Sequence, residues 1–389
     1  MLDWLIVGGG AQGTALSLAL TVRDGVPRHR LRVLDPHDAV LALWHKYTTN
    51  VGMRYLRSPG VHHLHYDPFS HRIFAQTKRG QPLLHSIPRF ERPSLRFFNA
   101  YTDYLLERYD LAALRWCGRA IGLTRARDGW RVQTDDGAIT ARRVVLAISA
   151  NESPHYPAWG RGVRGVEHIF APDFRRDAIA DGERVIVVGG GISAAQVALS
   201  LAGRCAVTLV MRHPRRVHHF DSDPCWVTPI CLKDFHALDD PDARRAVIQS
   251  ARNRGSMPPD IAQALADAID RGRVRLREGQ ITRADSVAGG VRVTFSDGAT
   301  SDAGRVICCT GFQTGRPGGD WLTAAIHAEG LPVAACGYPV IGRDLRWAHG
   351  LYVIGALAEL EIGPVARNLI GGRLAAERLL HVVRASPAR

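Results

Sequence analysis

A chain of 389 residues with 46 % apolar content is long enough for two or three domains with sizeable cores, which excludes a disordered protein. Its formal charge of +13 rests on arginine, because lysine occurs only at Lys46, Lys78 and Lys233. Those arginines are scattered singly and in short groups, a pattern that fits a solvated surface with a few phosphate contacts and speaks against nucleic acid as partner.

No stretch approaches the roughly eighteen apolar residues of a membrane span, and the first strand starts without a basic leader. Seven cysteines without framework spacing suit a reducing compartment, so the expectation is a cytoplasmic protein with no membrane partner.

Leu5-Ile6-Val7 reads as a buried strand, Gly8-Gly9-Gly10-Ala11-Gln12-Gly13 supplies G-x-G-x-x-G, and Thr14 to Leu20 continues as an apolar helix. Such a unit holds a dinucleotide. Gly8 permits the tight turn, Gly10 lets backbone approach a pyrophosphate, and Gly13 lets helix and strand pack closely. Asp35, ending the strand Leu31-Arg32-Val33-Leu34, is positioned for a ribose 2′-OH.

From Pro36 to Arg92 the chain lacks clear periodicity, and a stretch that long is more often functional than idle. It carries Trp44-His45, Met53 and the cluster His62-His63-Leu64-His65, which reads as an ordinary polar loop and not a metal site, with no cysteine nearby. Ser94 is the expected cap of a helix with Phe97, Phe98, Tyr101, Tyr104 and Leu105 on its apolar face. Short strands follow at Ala120 to Thr124, Trp130 to Thr134 and Ile139, then a buried parallel strand Arg143 to Ile148. Pro154 and Pro157 suit a crossing between domains.

The first plan then returns. Arg184 to Val188 is a strand, Gly189-Gly190-Gly191-Ile192-Ser193-Ala194 is G-x-G-x-x-A, and Ala195 to Leu201 is a helix before the strand Ala206 to Met211. Two copies imply two nucleotides. Where the first copy has Asp35, which repels a 2′-phosphate, the second has Arg212, followed by His213, Arg215 and Arg216, whose guanidinium forks match one. The difference predicts FAD in the first cradle and NADPH in the second.

A strand Val306 to Cys309 leads to Thr310-Gly311, and Leu351 to Gly355 is a further strand. Pro364 to Val383 reads as one long helix whose N-terminus at Gly363-Pro364 would point at a reduced isoalloxazine ring. The predicted fold is α/β, with two Rossmann-like dinucleotide-binding domains, the second inserted in the first: residues 1–153 and 312–389 for FAD, residues 154–311 for NADPH.

Taken together, the glycine turns, Trp44-His45 followed by Met53, Arg92-Pro93-Ser94-Leu95-Arg96 leading to Tyr101, Phe220-Asp221-Ser222-Asp223-Pro224 and the Thr310-Gly311-Phe312 turn resemble the flavin-dependent ornithine and lysine N-hydroxylases among the class B flavoprotein monooxygenases. The resemblance spans nearly the whole chain. It implies an FAD- and NADPH-dependent monooxygenase that uses O2 through a C4a-hydroperoxyflavin to N-hydroxylate a small polar, amine-bearing substrate.

It also implies Trp44 and His45 near the flavin, Ser193 helping the NADP pyrophosphate, and Asn253 as the substrate-site asparagine. The family's substrate lysine is absent from Met53 to Pro59. Arg54 and Arg57 stand there, either one a holder for a substrate carboxylate or phosphate or else a solvated side chain.

A second enzyme class, a reductase passing electrons to a small acidic carrier, fits the same two-domain plan, whereas thioredoxin-type chemistry lacks its C-x-x-C. A flavoprotein sensor is the non-enzyme reading, and intact glycine turns in both copies count against it. Oligomeric state stays open, homo-oligomer included.

Overall fold

The computed structural model describes residues 1–384. Its first sheet has a parallel core in the spatial order Leu351–Val353, Gly137–Leu146, Leu2–Val7, Leu31–Asp35, Arg115–Cys117. The second is parallel throughout, in the order Val166–His168, Arg305–Cys308, Arg184–Val188, Ala206–Met211, Val274–Glu278. Laid over one another, the two orders place the glycine-turn strand third of five in both. The repeat read in the sequence is thus a repeat of architecture. The inner strands, such as Arg184–Val188 and Ala206–Met211, are near-continuous runs of β-branched and other apolar residues, as strands buried on both faces require, while the edge strands Arg115–Cys117 and Val274–Glu278 carry polar residues.

One strand replaces two that were expected. Gly137–Leu146 runs unbroken from an antiparallel meander with Ala120–Ala126 and Gly129–Thr134 into the parallel core. Its first half alternates between exposed and buried residues, while Val144, Val145 and Leu146 are all fully buried. A change of environment along the strand, and no turn, is what broke the pattern. In the second domain the matching meander, Ile281–Val287, Gly290–Phe295 and Thr300–Ala303, is separated from Arg305–Cys308 at Gly304.

Two connections join the domains side by side. Pro154 bridges Phe312, His155 N–H donates to Gly311 O at 2.9 Å, and Gln313 N–H donates to Ser153 O at 2.9 Å. Between these crossings the chain does not stay with the second sheet. Trp226, Phe235 and Ile248, from the segment with helices Pro229–His236 and Pro241–Ala251, are buried in the core of the first domain.

The irregular stretch after Asp35 contains a ten-residue helix, Ala42–Val51, entered through Leu41 at φ +61°. Six of its ten residues are only half-buried, so it shows no clean apolar stripe. This helix forms the seam. Trp44 faces its own domain, 5.1 Å from Phe98, whereas Tyr47 lies 4.9 Å from Phe170 and Asn50 Nδ2 donates to Phe174 O at 3.1 Å.

The charge is less superficial than expected. Arg92 and Arg245 are buried, the first on Asp260 at 2.6 Å. Among the described residues no helix is long and apolar enough to cross a membrane.

Candidate functional site

The first glycine turn has the geometry of a phosphate cradle. Gly8 adopts φ +112°, and a Cβ there would lie 2.5 Å from Ala147 O. A Cβ on Gly13 would lie 1.9 Å from Gly8 O, so only glycine lets the helix Ala11–Leu18 start this close to the strand. Gly10 is exposed with nothing within 4 Å of its Cβ position, which leaves room for a ligand against the backbone. The free N–H groups of the helix's first turn point into that space.

Asp35 closes the turn from the neighbouring strand, its Oδ2 accepting Gly9 N–H at 2.7 Å and its Oδ1 accepting His37 N–H at 3.0 Å.

Gln12 ties this cradle to the C-terminal segment. Its Nε2 donates to Ala366 O at 2.6 Å and to Asn368 O at 2.8 Å, and its Oε1 is buried without a partner. Gly355, at φ +66°, backs onto that oxygen, where a Cβ would approach to 2.9 Å. An unpartnered acceptor beside an open glycine cradle fits a ligand with donors of its own, as the ribityl chain and flavin of FAD have.

The helix expected from Pro364 starts later. Gly363 at φ +86° ends the short helix Glu359–Ile362, Pro364–Arg367 forms one 3-10 turn, and Asn368 is extended, so the long helix is Leu369–Arg384. Pro364 therefore offers no helix N-terminus. Its carbonyl instead accepts Arg252 Nη2 at 2.8 Å.

The second cradle repeats the first with substitutions. Gly189 adopts φ +148°, and a Cβ would come within 2.7 Å of Cys309 O. Gly191 caps the helix Ile192–Leu201, Ser193 stands in its first turn without a side-chain hydrogen bond among the described residues, and Ala194 is buried against Gly189. Arg212 follows the strand Ala206–Met211, one position beyond Met211, the register equivalent of Asp35, and is exposed and without an ion pair among the described residues. The His213 ring lies over Gly190, where a Cβ would meet it at 2.6 Å.

Thr310 and Gly311 sit at the crossing, the Thr310 hydroxyl donating to His155 O and Gly311 at φ +77° with open space beyond it. Next to them, Phe312 stacks on Phe170 at 4.8 Å.

Trp44 and His45 lie together on the seam helix. Trp44 Nε1 donates to Asn99 Oδ1 at 3.0 Å, and His45 is half-buried.

The two candidate arginines separate. Arg57 is consumed by structure, donating to Phe220 O at 2.7 Å, His218 O at 2.9 Å and Ser256 Oγ at 2.9 Å. Arg54 is exposed and makes no side-chain bond among the described residues. Asn253 is also tied up, its Nδ2 donating to Phe220 O at 3.0 Å and its N–H to Asp221 O at 2.7 Å, so its amide donors hold the Phe220 loop before any substrate arrives.

Several features lacked a sequence signal. Glu359 is fully buried under three guanidiniums: Arg367 Nε at 2.7 Å, Arg252 Nη2 at 3.3 Å, and Arg245 Nη1 in direct contact. Burial, helped by neighbouring Arg367 and Arg245, lowers Arg252 to a pKa of about 10.

Cys225 and Cys231 form a disulfide across six positions, a correction to the all-reduced expectation. Its spacing matches no redox motif. Cys308 and Cys309 do face opposite sides of their strand, each in a different core cluster.

The histidine loop is packed and not solvated. His63 and His65 are buried, and desolvation lowers His62 to about 4 and His63 to about 3. His63 Nε2 lies 3.1 Å from Pro68 O, and among the described residues no His, Cys, Asp and Glu group has the arrangement of a metal site.

Residues 5–253 match the family described as pyridine nucleotide-disulphide oxidoreductase. A probable indole-3-pyruvate monooxygenase, YUCCA4 of Arabidopsis thaliana, is 24 % identical over 382 residues, covering 90 % of this chain and 84 % of the relative. The ornithine hydroxylase PvdA from Pseudomonas aeruginosa superposes with a TM-score of 0.78 at 18 % identity, over 99 % of both chains. The Kutzneria sp. 744 ornithine N-hydroxylase KtzI, recorded with reduced FAD, NADP+ and L-ornithine, gives 0.76 at 17 % identity, again over 99 % of both. At these identities the superpositions show a shared fold.

Proposed function

This chain belongs to the pyridine nucleotide-disulphide oxidoreductase family, and on that premise we propose that it is an FAD- and NADPH-dependent monooxygenase acting on a small, polar, amine-bearing molecule with O2 as co-substrate. The observation that carries the proposal is the pair of like-built cradles with opposite charges beside them, Asp35 at the end of the second strand in one and Arg212 just beyond it in the other.

FAD would lie along Gly8, Gly10, Gly13 and Asp35, with Gly355 behind it and Trp44 and His45 beside it. NADPH would lie on Gly189, Gly191, Ser193 and Ala194, with Arg212 on its 2′-phosphate and Thr310-Gly311 below. When bound, FAD supplies the acceptance of hydride and the activation of dioxygen, chemistry no side chain offers.

The chain's own part is binding, orientation and exclusion of water. Helix termini and glycine backbone bind the two pyrophosphates. The seam helix, anchored through Asn50 on one domain and Trp44 on the other, sets how the cradles face each other. The half-buried aromatic cluster Tyr47, Phe170 and Phe312 packs across the joint between the domains. No acid or base need act at the reacting nitrogen, because an unprotonated amine is itself the nucleophile. The shared fold of PvdA and KtzI supports this reading.

The test begins with the purified protein's visible spectrum and its anaerobic response to NADPH. A yellow protein bleached by NADPH, whose oxygen uptake in air yields little free peroxide once a substrate amine is added, is the expected result. A protein that takes up no FAD on reconstitution overturns the reading, and rapid electron delivery to a one-electron carrier with no substrate oxygenation replaces it with a reductase.

A further inference from the structure

Gln12, in the first cradle, holds the C-terminal segment by the carbonyls of Ala366 and Asn368. A strap, residues 221–236, holds the same segment a few residues earlier. Trp226 and Leu232 lie over Gly363, where a Cβ would come within 3.4 Å and 3.6 Å of them, and His236 Nε2 lies 2.8 Å from Glu361 O. Gly363 O in turn accepts Ala366 N–H at 3.1 Å. A run of direct contacts thus joins the strap to the cradle proposed for FAD.

The strap is closed on itself by the Cys225–Cys231 bond. One sulfur belongs to the 3-10 turn Pro224–Val227, which carries Trp226, and the other to the helix Pro229–His236, which carries Leu232. The bond therefore fixes the two side chains on Gly363 relative to each other. When it opens, the turn and the helix remain tied only by backbone and by Thr228, whose N–H and Oγ1 donate to Cys225 O at 2.9 Å and 2.7 Å.

The bond is within reach of solvent. Cys225 and Cys231 are half-buried, and Pro229, Ile230, Lys233 and Asp234 beside them are exposed, with Ile230 77 % accessible. Of the other five cysteines, all thiols, Cys205, Cys308 and Cys309 are buried. A reachable bond across six positions, in a chain that otherwise keeps its thiols, has the character of the labile class of disulfides and not of a buried structural one.

We propose that Cys225–Cys231 is a reversible thiol–disulfide exchange site through which an external dithiol loosens the protein's hold on FAD. A thiolate of the dithiol attacks one sulfur, the Cys225–Cys231 bond breaks, and the departing sulfur takes a proton. The dithiol's second sulfur then displaces the mixed disulfide and leaves as a closed disulfide. Two electrons and two protons have passed from the dithiol to the pair, and none from NADPH. The inference rests on FAD occupying the first cradle. Linkage gives it a reciprocal form: whatever factor reduction takes from FAD affinity, bound FAD adds to the difficulty of reducing the bond.

The experiment equilibrates the folded protein in buffers of reduced and oxidised dithiothreitol, with and without saturating FAD, and counts alkylated cysteines by mass. Expected are two thiols gained, at Cys225 and Cys231, with faster amide exchange over residues 221–236. FAD should bind at least about fivefold more weakly to the reduced protein, and the exchange equilibrium should move by the same factor when FAD is present. Cys117→Ser, which removes the exposed thiol, should leave every reading unchanged. Equal FAD affinity in the two states, a bond that dithiothreitol leaves intact in the folded protein, or two thiols already free before reduction overturns the proposal. Reduction of the pair by NADPH alone under anaerobic conditions also overturns it, by placing the pair on the flavin's own electron path. If wild type takes up no FAD, the monooxygenase reading fails, and amide exchange over residues 221–236 decides the staple by itself: faster exchange on reduction keeps it, unchanged exchange removes it.

Discussion

Asp35 ends the strand beside the first glycine turn, Arg212 stands one position beyond the end of the corresponding strand Ala206–Met211 beside the second, and the two carry opposite charge. Asp35 is engaged with Gly9 and His37 N–H groups, while Arg212 has no ion pair among the described residues. An unpaired guanidinium there is free to take a 2′-phosphate, the role proposed for it. Arg212→Ala is expected to lower kcat/KM for NADPH by about ten- to a hundredfold, the worth of one charged hydrogen bond, and to leave NADH nearly untouched. Equal preference for the two nucleotides in both proteins would remove the assignment.

The Cys225–Cys231 bond makes a countable prediction. Denatured but unreduced protein should titrate five thiols, and reduced protein seven. Cross-linking so short a loop stabilises by about 2 kcal/mol in the chain-entropy account, so Cys225→Ser with Cys231→Ser should lower the urea midpoint accordingly. Seven thiols before reduction would show that the bond does not form in the isolated protein.

Both glycine turns, the order of elements and the acid-to-arginine exchange were legible because each depends on local chain geometry that only certain residues allow. Gly13 is the clearest case, since any side chain there would strike Gly8 O. What was illegible depends on distant partners. The sequence around Pro364 looks helical up to the point where Gly363 turns left-handed and the Pro364 carbonyl meets Arg252, more than a hundred residues away.

Arg54 and Arg57 are likewise indistinguishable as letters. They part only because the Phe220 loop presents its carbonyls to one of them. The helix segment Pro241–Ala251 packs on the first domain through Arg245 and Glu359, a pairing across 114 positions that no periodicity announces.

Buried neutral histidines should make the protein acid-sensitive. His63 is held at about 3 and His168 at about 4, both chiefly by burial, and both are almost wholly inaccessible. The unfolded chain titrates near 6.5 and so binds protons that the folded chain refuses, which means stability is full above that pH and falls as the solution is acidified toward the folded values. Each group costs about 2 kcal/mol between pH 6.5 and pH 5. Urea unfolding at pH 7 and pH 5 should show the combined loss, and His63→Asn or His168→Asn should flatten the dependence. A wild-type profile flat from pH 7 to 5 would contradict the neutral assignment.

Glu359 is where the C-terminal segment and the helix Pro241–Ala251 are locked together. Arg245, Arg252 and Arg367 converge on one carboxylate that has no solvent exposure, and Arg367 and Arg245 add contacts to Tyr338. Replacing this glutamate by glutamine keeps the shape and removes the charge, leaving three crowded guanidiniums with no counter-ion. Loss of one partner of a buried pair costs about 3 to 5 kcal/mol, so Glu359→Gln should shift the urea midpoint strongly at constant m-value. The exposed pair Arg283–Asp285 is the control, because solvent screening makes Asp285→Asn nearly silent. If Glu359→Gln proved as silent, the three arginines would have to be finding water in the folded protein, and the C-terminal segment would owe its position to the apolar contacts of Leu357, Leu360 and Ile362 alone.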